Sequence, residues 1–213
     1  MNFKRILLLL AVFISFLPFA HAQKAKKDMV VVDSVSFKSL QKTDIKGVGG
    51  SVLRMEVDVV AKAGAEAKSK WLRNVEVEVM LAYEDEKAGT GYVFLKSRAK
   101  IFAAEINKKT PVVFYVPWEA YQVYRLTGEP QIYQISLFVN GMEVKLSKDN
   151  LKDRVSKTIK SQKMLDEFAA KVADAQSLNE GVLRPLNECP ANIQMYEYGK
   201  ATNLAVPTYL NLK

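Results

Sequence analysis

Over the first two thirds of the chain beyond residue 28, apolar side chains recur at every second position. Ser51–Lys62 places Leu53, Met55, Val57 and Val59 on one face and Arg54, Glu56 and Asp58 on the other. Trp71–Tyr83 alternates in the same way, with Val75, Val77, Val79 and Leu81 opposite Glu76 and Glu78. Tyr92–Ile106 repeats the pattern through Val93, Leu95, Ala99, Ile101 and Ala103. A period of two is the mark of a half-buried strand. Valine-rich Met29–Lys38 and the short apolar run Pro111–Val116 read as further strands. Gln131–Asn140 and Gly141–Leu146 form a hairpin around Asn140-Gly141, a dipeptide suited to the positive backbone angles of a type I′ turn. Gln41–Gly50, Ala61–Lys70 and Glu84–Gly91 are polar or glycine-rich and read as connections.

Two segments have a helical period instead. Trp118–Leu126 is a short helix with Pro117 at its start and Gly128 beyond its end. Ser161–Leu178 sets Met164, Leu165, Phe168, Val172 and Ala175 on one face, with Ser161 as N-cap and Gly181 as stop. Leu151, Val155 and Ile159 extend the same spacing backwards. About seven short strands followed by a helix predict a mainly β fold. The expected architecture is an immunoglobulin-like or fibronectin-like antiparallel β-sandwich with a C-terminal amphipathic helix. The expected divisions are a signal peptide at 1–22, the sandwich at 23–146, a helical segment at 147–181 and an irregular tail at 182–213 that packs on the domain.

The beginning of the chain changes the picture of where the protein works. Lys4 and Arg5 precede an apolar run from Ile6 to Leu17, Pro18 breaks it, and Ala20-His21-Ala22 supplies small residues where a signal peptidase cleaves. The run is shorter than the roughly 20 apolar residues of a membrane span. The expected location is therefore outside the cytoplasm: periplasm, outer-membrane-associated or cell surface. Removing 22 of the 213 residues leaves 191 and lowers the net charge from +8 to +6, because Lys4 and Arg5 leave. That length buries its own core without staples. The positive charge is spread along the chain with no basic run interleaved with aromatics, so nucleic acid is not an expected partner. No later segment is long and apolar enough to span a membrane after cleavage.

Two residue counts then remove most catalytic chemistry. The only histidine, His21, leaves with the signal, and Cys189 is the only cysteine. The mature chain has no Ser-His-Asp triad, no Cys-His pair and no zinc site built from His and Cys. No catalytic, cofactor or metal residue is expected. Carboxylates remain, and Glu56/Asp58 and Glu76/Glu78 each place two on one strand face. An acid pair or a calcium site is one reading. The other is a solvated face with cross-strand ion pairs. Folding Trp71–Tyr83 onto Tyr92–Ile106 with Glu78 opposite Lys96 and Glu76 opposite Arg98 also brings Val79 to Leu95, Leu81 to Val93 and Val75 to Ala99. One register satisfies both faces, as strand pairing requires.

Four other features have competing readings. Glu84-Asp85-Glu86 matches no EF-hand spacing and reads as an acidic turn. Gly47-Val48-Gly49-Gly50 lacks the Lys-Ser/Thr of a phosphate loop and reads as a flexible connection. Among Phe114, Tyr115, Trp118, Tyr121 and Tyr124, the rings either fill the sandwich end or offer Tyr115, Trp118 and Tyr121 to a ligand or partner. Cys189 either pairs between chains or lies buried.

The whole-chain order resembles a group of exported immunoglobulin-like proteins encoded beside type IV pilus components in mucin-dwelling Verrucomicrobia. The shared features are a cleavable signal, a cysteine-poor strand series ending in a helix, Trp118-Glu119-Ala120-Tyr121 at the crossover, and the Asn140-Gly141 hairpin. The resemblance implies a non-enzymatic envelope protein connected with pilus assembly or surface contact, and it carries no site residues. Expected partners are other envelope or pilus proteins, or host or surface glycans. The alternatives are a carbohydrate-binding module using Tyr115, Trp118 and Tyr121, and a carboxylate-based hydrolase.

Export should leave Gln23 as the first residue, because Ala20 and Ala22 are the only small pair placed correctly after the apolar run. Intact-mass analysis of the exported protein checks this, and retention of Met1 would refute it.

Overall fold

A computed structural model of the protein describes residues 29–62, 69–145 and 150–200. The expected signal at 1–22, most of the loop at 61–70 and the end of the tail lie outside those residues. Among the described residues eight strands form two antiparallel sheets: β1 (Val30–Leu40), β2 (Val52–Ala61), β3 (Trp71–Glu84), β4 (Tyr92–Glu105), β5 (Lys109–Val116), β6 (Ile132–Val139), β7 (Met142–Val144) and β8 (Arg184–Pro185). One sheet has the order β1-β2-β5-β8 and the other β4-β3-β6-β7. This is the expected immunoglobulin-like sandwich, with β8 added from the tail. Its core is made of the alternating apolar rows: Leu53, Met55, Val57 and Val59 of β2 and Val112, Phe114 and Val116 of β5 face Val75, Val77, Val79 and Leu81 of β3 and Ile135, Leu137 and Val139 of β6. At the β6–β7 turn Asn140 has φ 52° and Gly141 φ 77°, the two positive angles anticipated there.

The β3–β4 hairpin has the expected parity but a register two residues along. Val79 lies opposite Ser97, Leu81 opposite Leu95, Glu78 opposite Arg98 and Glu76 opposite Lys100. The expected direct pairs survive as diagonals: Lys96 reaches Glu78 at 3.4 Å and Arg98 reaches Glu76 at 3.2 Å, while Arg98 binds Glu78 at 2.6 Å. The reason is that Lys96, Arg98 and Lys100 form a basic row of three opposite an acidic row of two. A two-residue slip keeps every side chain on its face, so charge and hydrophobic pattern do not distinguish the two registers. The turn does. Asp85 takes the amide of Lys87 on its carboxylate (2.9 Å) and gives its own amide to the Gly91 carbonyl (3.0 Å), which fixes the loop length with Gly91 at φ 78°.

Both sheets are apolar on their outer faces over part of their length, and chain from beyond the sandwich covers them. On the β4-β3-β6-β7 sheet, Ala82, Phe94 and Ile132 pack against Leu165 and Phe168 of helix α3 (Gln162–Ala173) and against Val155 and Ile159. Ser161 caps α3 as anticipated, accepting the Met164 amide at 3.3 Å. The helix ends at Ala173, short of Gly181, and Met164 is exposed rather than buried. The backward extension is not helical throughout. Only α2 (Leu151–Arg154) is helical, because Val155 turns extended to pair with Gln134 of β6, and the Ser156 amide donates to the Tyr133 carbonyl at 3.0 Å. Val155 and Ile159 are buried all the same, through strand-like rather than helical geometry.

The tail from residue 182, expected to be irregular, also has a defined path. After β8 and a 3₁₀ turn at Leu186–Glu188 it forms helix α4 (Ala191–Lys200) directly after Pro190. This helix, weakly patterned in sequence, lies on the outer face of the other sheet, where Leu186, Cys189 and Ile193 join Leu40, Ile45, Val48, Val52, Val113 and Tyr115. Helix α1 (Trp118–Val123) closes one end of the sandwich with Ala120 buried.

Glu78→Gln should change stability by no more than about 0–1 kcal/mol, since exposed ion pairs contribute little. Val79→Ala, on the buried row, should cost about 1–3 kcal/mol. Denaturant unfolding of the two variants checks the assignment; a larger loss from Glu78→Gln would contradict it.

Candidate functional site

At the end of the sandwich closed by α1, the strands leave a cleft of about 560 Å³ between the Gly49–Ser51 turn and the 126–129 loop. Its walls include Trp118, Tyr121 and Leu126, and its polar rim Ser39, Gln122 and Glu129. A smaller cleft of about 250 Å³ lies on the other side of Trp118, floored by Pro190 and Ile193 at the start of α4. The indole therefore divides two openings. Its place is set by glycine: a Cβ at Gly49 would fall inside the contact shell of the indole Nε1, and one at Gly50 would stand 3.2 Å from Cε3. The Gly47–Gly50 stretch, expected to be a flexible connection, is a packed turn, with Val48 and nearby Ile45 buried. Asn192 of α4 donates to the Lys46 carbonyl at 2.9 Å and joins that turn to the C-terminal helix.

The three aromatic residues singled out in the sequence have different fates. Tyr115 is only 1% exposed, and its hydroxyl donates to Glu197. Its alternation on β5 turns it under α4, so it is absent from the larger cleft and lies only at the buried wall of the smaller one. Trp118 and Tyr121 both line the larger cleft. The Tyr121 hydroxyl donates to the Gly128 carbonyl at 2.9 Å, and its ring meets Tyr83 edge-on with centroids 6.2 Å apart. That bond fixes the ring against the core and leaves its rim on the cleft. Burial, followed by the bonded Tyr121 hydroxyl, raises the Tyr83 pKa far above that of a free phenol. Among the described residues Glu129 is in no ion pair, so the rim carries an unneutralised acid at Glu129.

The acids that sequence reading offered for catalysis are tied to bases. Glu76 and Glu78 are held by Arg98 and Lys96. Asp58 accepts the Ser34 hydroxyl at 2.9 Å and lies 3.9 Å from Lys109. Glu56 pairs with Arg54. Among the described residues no group of three or more His, Cys, Asp or Glu side chains is arranged to hold a metal ion.

Two buried charged sites escaped sequence reading. In the first, Arg54 of β2 donates to both carboxylate oxygens of Glu197, at 2.6 and 3.1 Å, while Tyr115 donates to the same carboxylate. Glu197 is 4% exposed. Burial by itself would lower the Arg54 pKa, but its bonds to Glu197 and Glu56 outweigh that and hold it above the ordinary guanidinium value. In the second, Arg154 is 1% exposed and donates to the carbonyls of Ile135 (2.9 Å) and Val144 (2.6 Å) beside the end of β7. Burial pulls its pKa down to about 10. No local signal marks either site: Arg54 sits in an ordinary polar row, its partner is 143 residues away, and Arg154 bonds only to backbone.

No protein-family model matches the chain, and no curated protein matches it. Among solved structures, a crystal structure from Akkermansia muciniphila superposes with a TM-score of 0.54 at 15% identity, covering 79% of this chain and 89% of that one. At that identity the likeness is one of fold.

Cys189 lies buried among Leu186, Ile193 and Tyr115, its sulfur 3.5 Å from the Pro185 carbonyl. Burial pushes its thiol up to about 12. The folded chain thus keeps a proton that the unfolded thiol releases near 9.0. The folded state binds more protons across that window, so stability should fall as pH rises from about 9 towards 12. At neutral pH the native thiol should resist a disulfide-exchange reagent and react once denaturant is added. Rapid labelling of the native protein would show the thiol to be exposed.

Proposed function

We propose that this chain is an exported, non-enzymatic binding or assembly protein of the cell envelope, which makes its contact through the cleft beside Trp118 and Tyr121. One observation carries the reading. The strand carboxylates Glu76 and Glu78 are spent on scaffold ion pairs and Glu129 stands on the cleft rim without a second acid in the lining, whereas the cleft is open, walled by aromatic rings and rimmed by polar side chains. Sites of this volume with a few convergent polar groups are typical of binding. The carboxylate-based hydrolase loses its support for the same reason. An association with type IV pilus components or surface contacts is supported by the sequence resemblance, with which the fold shared with the Akkermansia muciniphila protein is compatible.

A carbohydrate-binding module is the second reading. It is favoured by the pairing of the indole with Ser39, Gln122 and Glu129 around one opening, a mix that suits the apolar face and hydroxyls of a sugar ring. Burial of Tyr115 reduces its aromatic platform to Trp118 and Tyr121.

The test is purification of the tagged protein from its native envelope after chemical cross-linking, compared with a Gln122→Ala/Glu129→Ala variant. Both side chains are exposed, so the variant should melt like the parent. The expected result is one reproducible envelope protein, identified by mass spectrometry and lost in the variant. Displacement of that protein by neutral oligosaccharides would favour the second reading. If the variant retains every contact, the cleft is not the site.

A further inference from the structure

We infer that the opposite end of the sandwich is a docking surface for an anionic lipid membrane, separate from the proposed cleft. At this end β3 begins and β4 finishes, and the two strands break their alternation together. Leu72 and Ala104 face each other inward, as do Val75 and Ile101. Between them Asn74 takes φ 53°, and Trp71, Arg73 and Phe102 turn outward. Trp71 is 49% exposed and Phe102 44%. A single exposed ring needs no explanation, but these two are on adjacent strands with Arg73 between them. Exposed Lys70 and Lys100 flank them.

The charges point to the occupant. Elsewhere on the same strands Lys96 and Arg98 are neutralised by Glu76, Glu78 and Glu180. Lys70, Arg73 and Lys100 are in no ion pair among the described residues. Glu105, opposite Trp71, is already held by Lys108 at 2.9 Å. The patch is thus a cationic rim around two half-exposed rings on a chain of positive net charge. Aromatic rings settle at the headgroup level of a bilayer, and long cationic side chains reach the phosphates around them. Half-exposed rings set among unneutralised cations suit an anionic bilayer, which takes up both the rings and the charge, better than an acidic segment of a partner protein, which answers only the charge.

Co-sedimentation of the mature chain with vesicles tests this. Vesicles of equal parts phosphatidylglycerol and phosphatidylcholine should retain the protein at low salt and release it at high salt, and pure phosphatidylcholine should not retain it. Binding should blue-shift tryptophan emission, and Trp71→Ala should abolish the shift although Trp118 remains. Replacing Lys70, Arg73 and Lys100 with Ser should weaken binding by about 100-fold, from roughly fivefold per cation. All these side chains are exposed, so melting temperatures should hold. The inference is overturned by no retention on the anionic vesicles, by retention that ignores these substitutions, or by equal binding to poly-glutamate without a Trp71 shift, which marks an acidic polypeptide site instead. None of these results bears on the Gln122/Glu129 test of the cleft.

Discussion

The structure depends on one constraint: each sheet is apolar on both faces over part of its length. A two-sheet sandwich buries only the inner faces, about 10 Å apart. Ala82, Phe94 and Ile132 on one sheet, and Val52, Val113 and Tyr115 on the other, point away from that core. Left uncovered they would form patches of the kind that marks interfaces or aggregation. The chain after β7 is used to cover them: α2 and α3 cross one outer face, and β8, the 3₁₀ turn and α4 cross the other. Residues 151–200 are therefore a pair of lids on the sandwich rather than an appendage.

The two lids are fixed by different polar devices. On one side Arg154 takes two carbonyls beside β6 and β7, where the regular ladder stops after Val144. On the other, Arg54, Glu197 and Tyr115 form a hydrogen-bonded set beneath α4. Removing one partner of a buried pair costs about 3–5 kcal/mol, yet replacing both with apolar groups is often neutral. On that ground the Arg54–Glu197 contact specifies where α4 lies more than it adds net stability. A weakly amphipathic helix needs such a marker, because its apolar face alone does not define one seat.

Covering both faces concentrates what remains open at the two ends of the sandwich. At the end where β2 begins, the glycine turn and α1 hold Trp118 between two clefts. At the end where β2 finishes, near the Ala61–Ile106 bridge, Trp71 and Phe102 stand exposed among cations that are in no ion pair among the described residues. The first end carries a cleft and, among the described residues, an acid in no ion pair; the second carries cations and two half-exposed rings. Two ends of opposite character allow one molecule to hold a ligand or partner at one and a surface at the other.

By itself the sequence determined the class of fold, seven of the eight described strands, the helix capped by Ser161 and the Asn140-Gly141 turn, because period and local turn chemistry act over a few residues. It also determined the parity of the β3–β4 hairpin. It left the register ambiguous by two, since three cations opposite two acids satisfy both choices, and only the Asp85–Gly91 turn decides. Of the candidate site, Trp118 and Tyr121 were legible as clustered aromatics near a crossover. That Tyr115 belongs instead to a buried network was not, because its partner Glu197 is 82 residues away. The same distance in sequence hid α4, the pairing of β8 with β5 and the burial of Cys189. These are contacts between segments whose own patterns are weak, and such segments acquire their structure from the surface they cover.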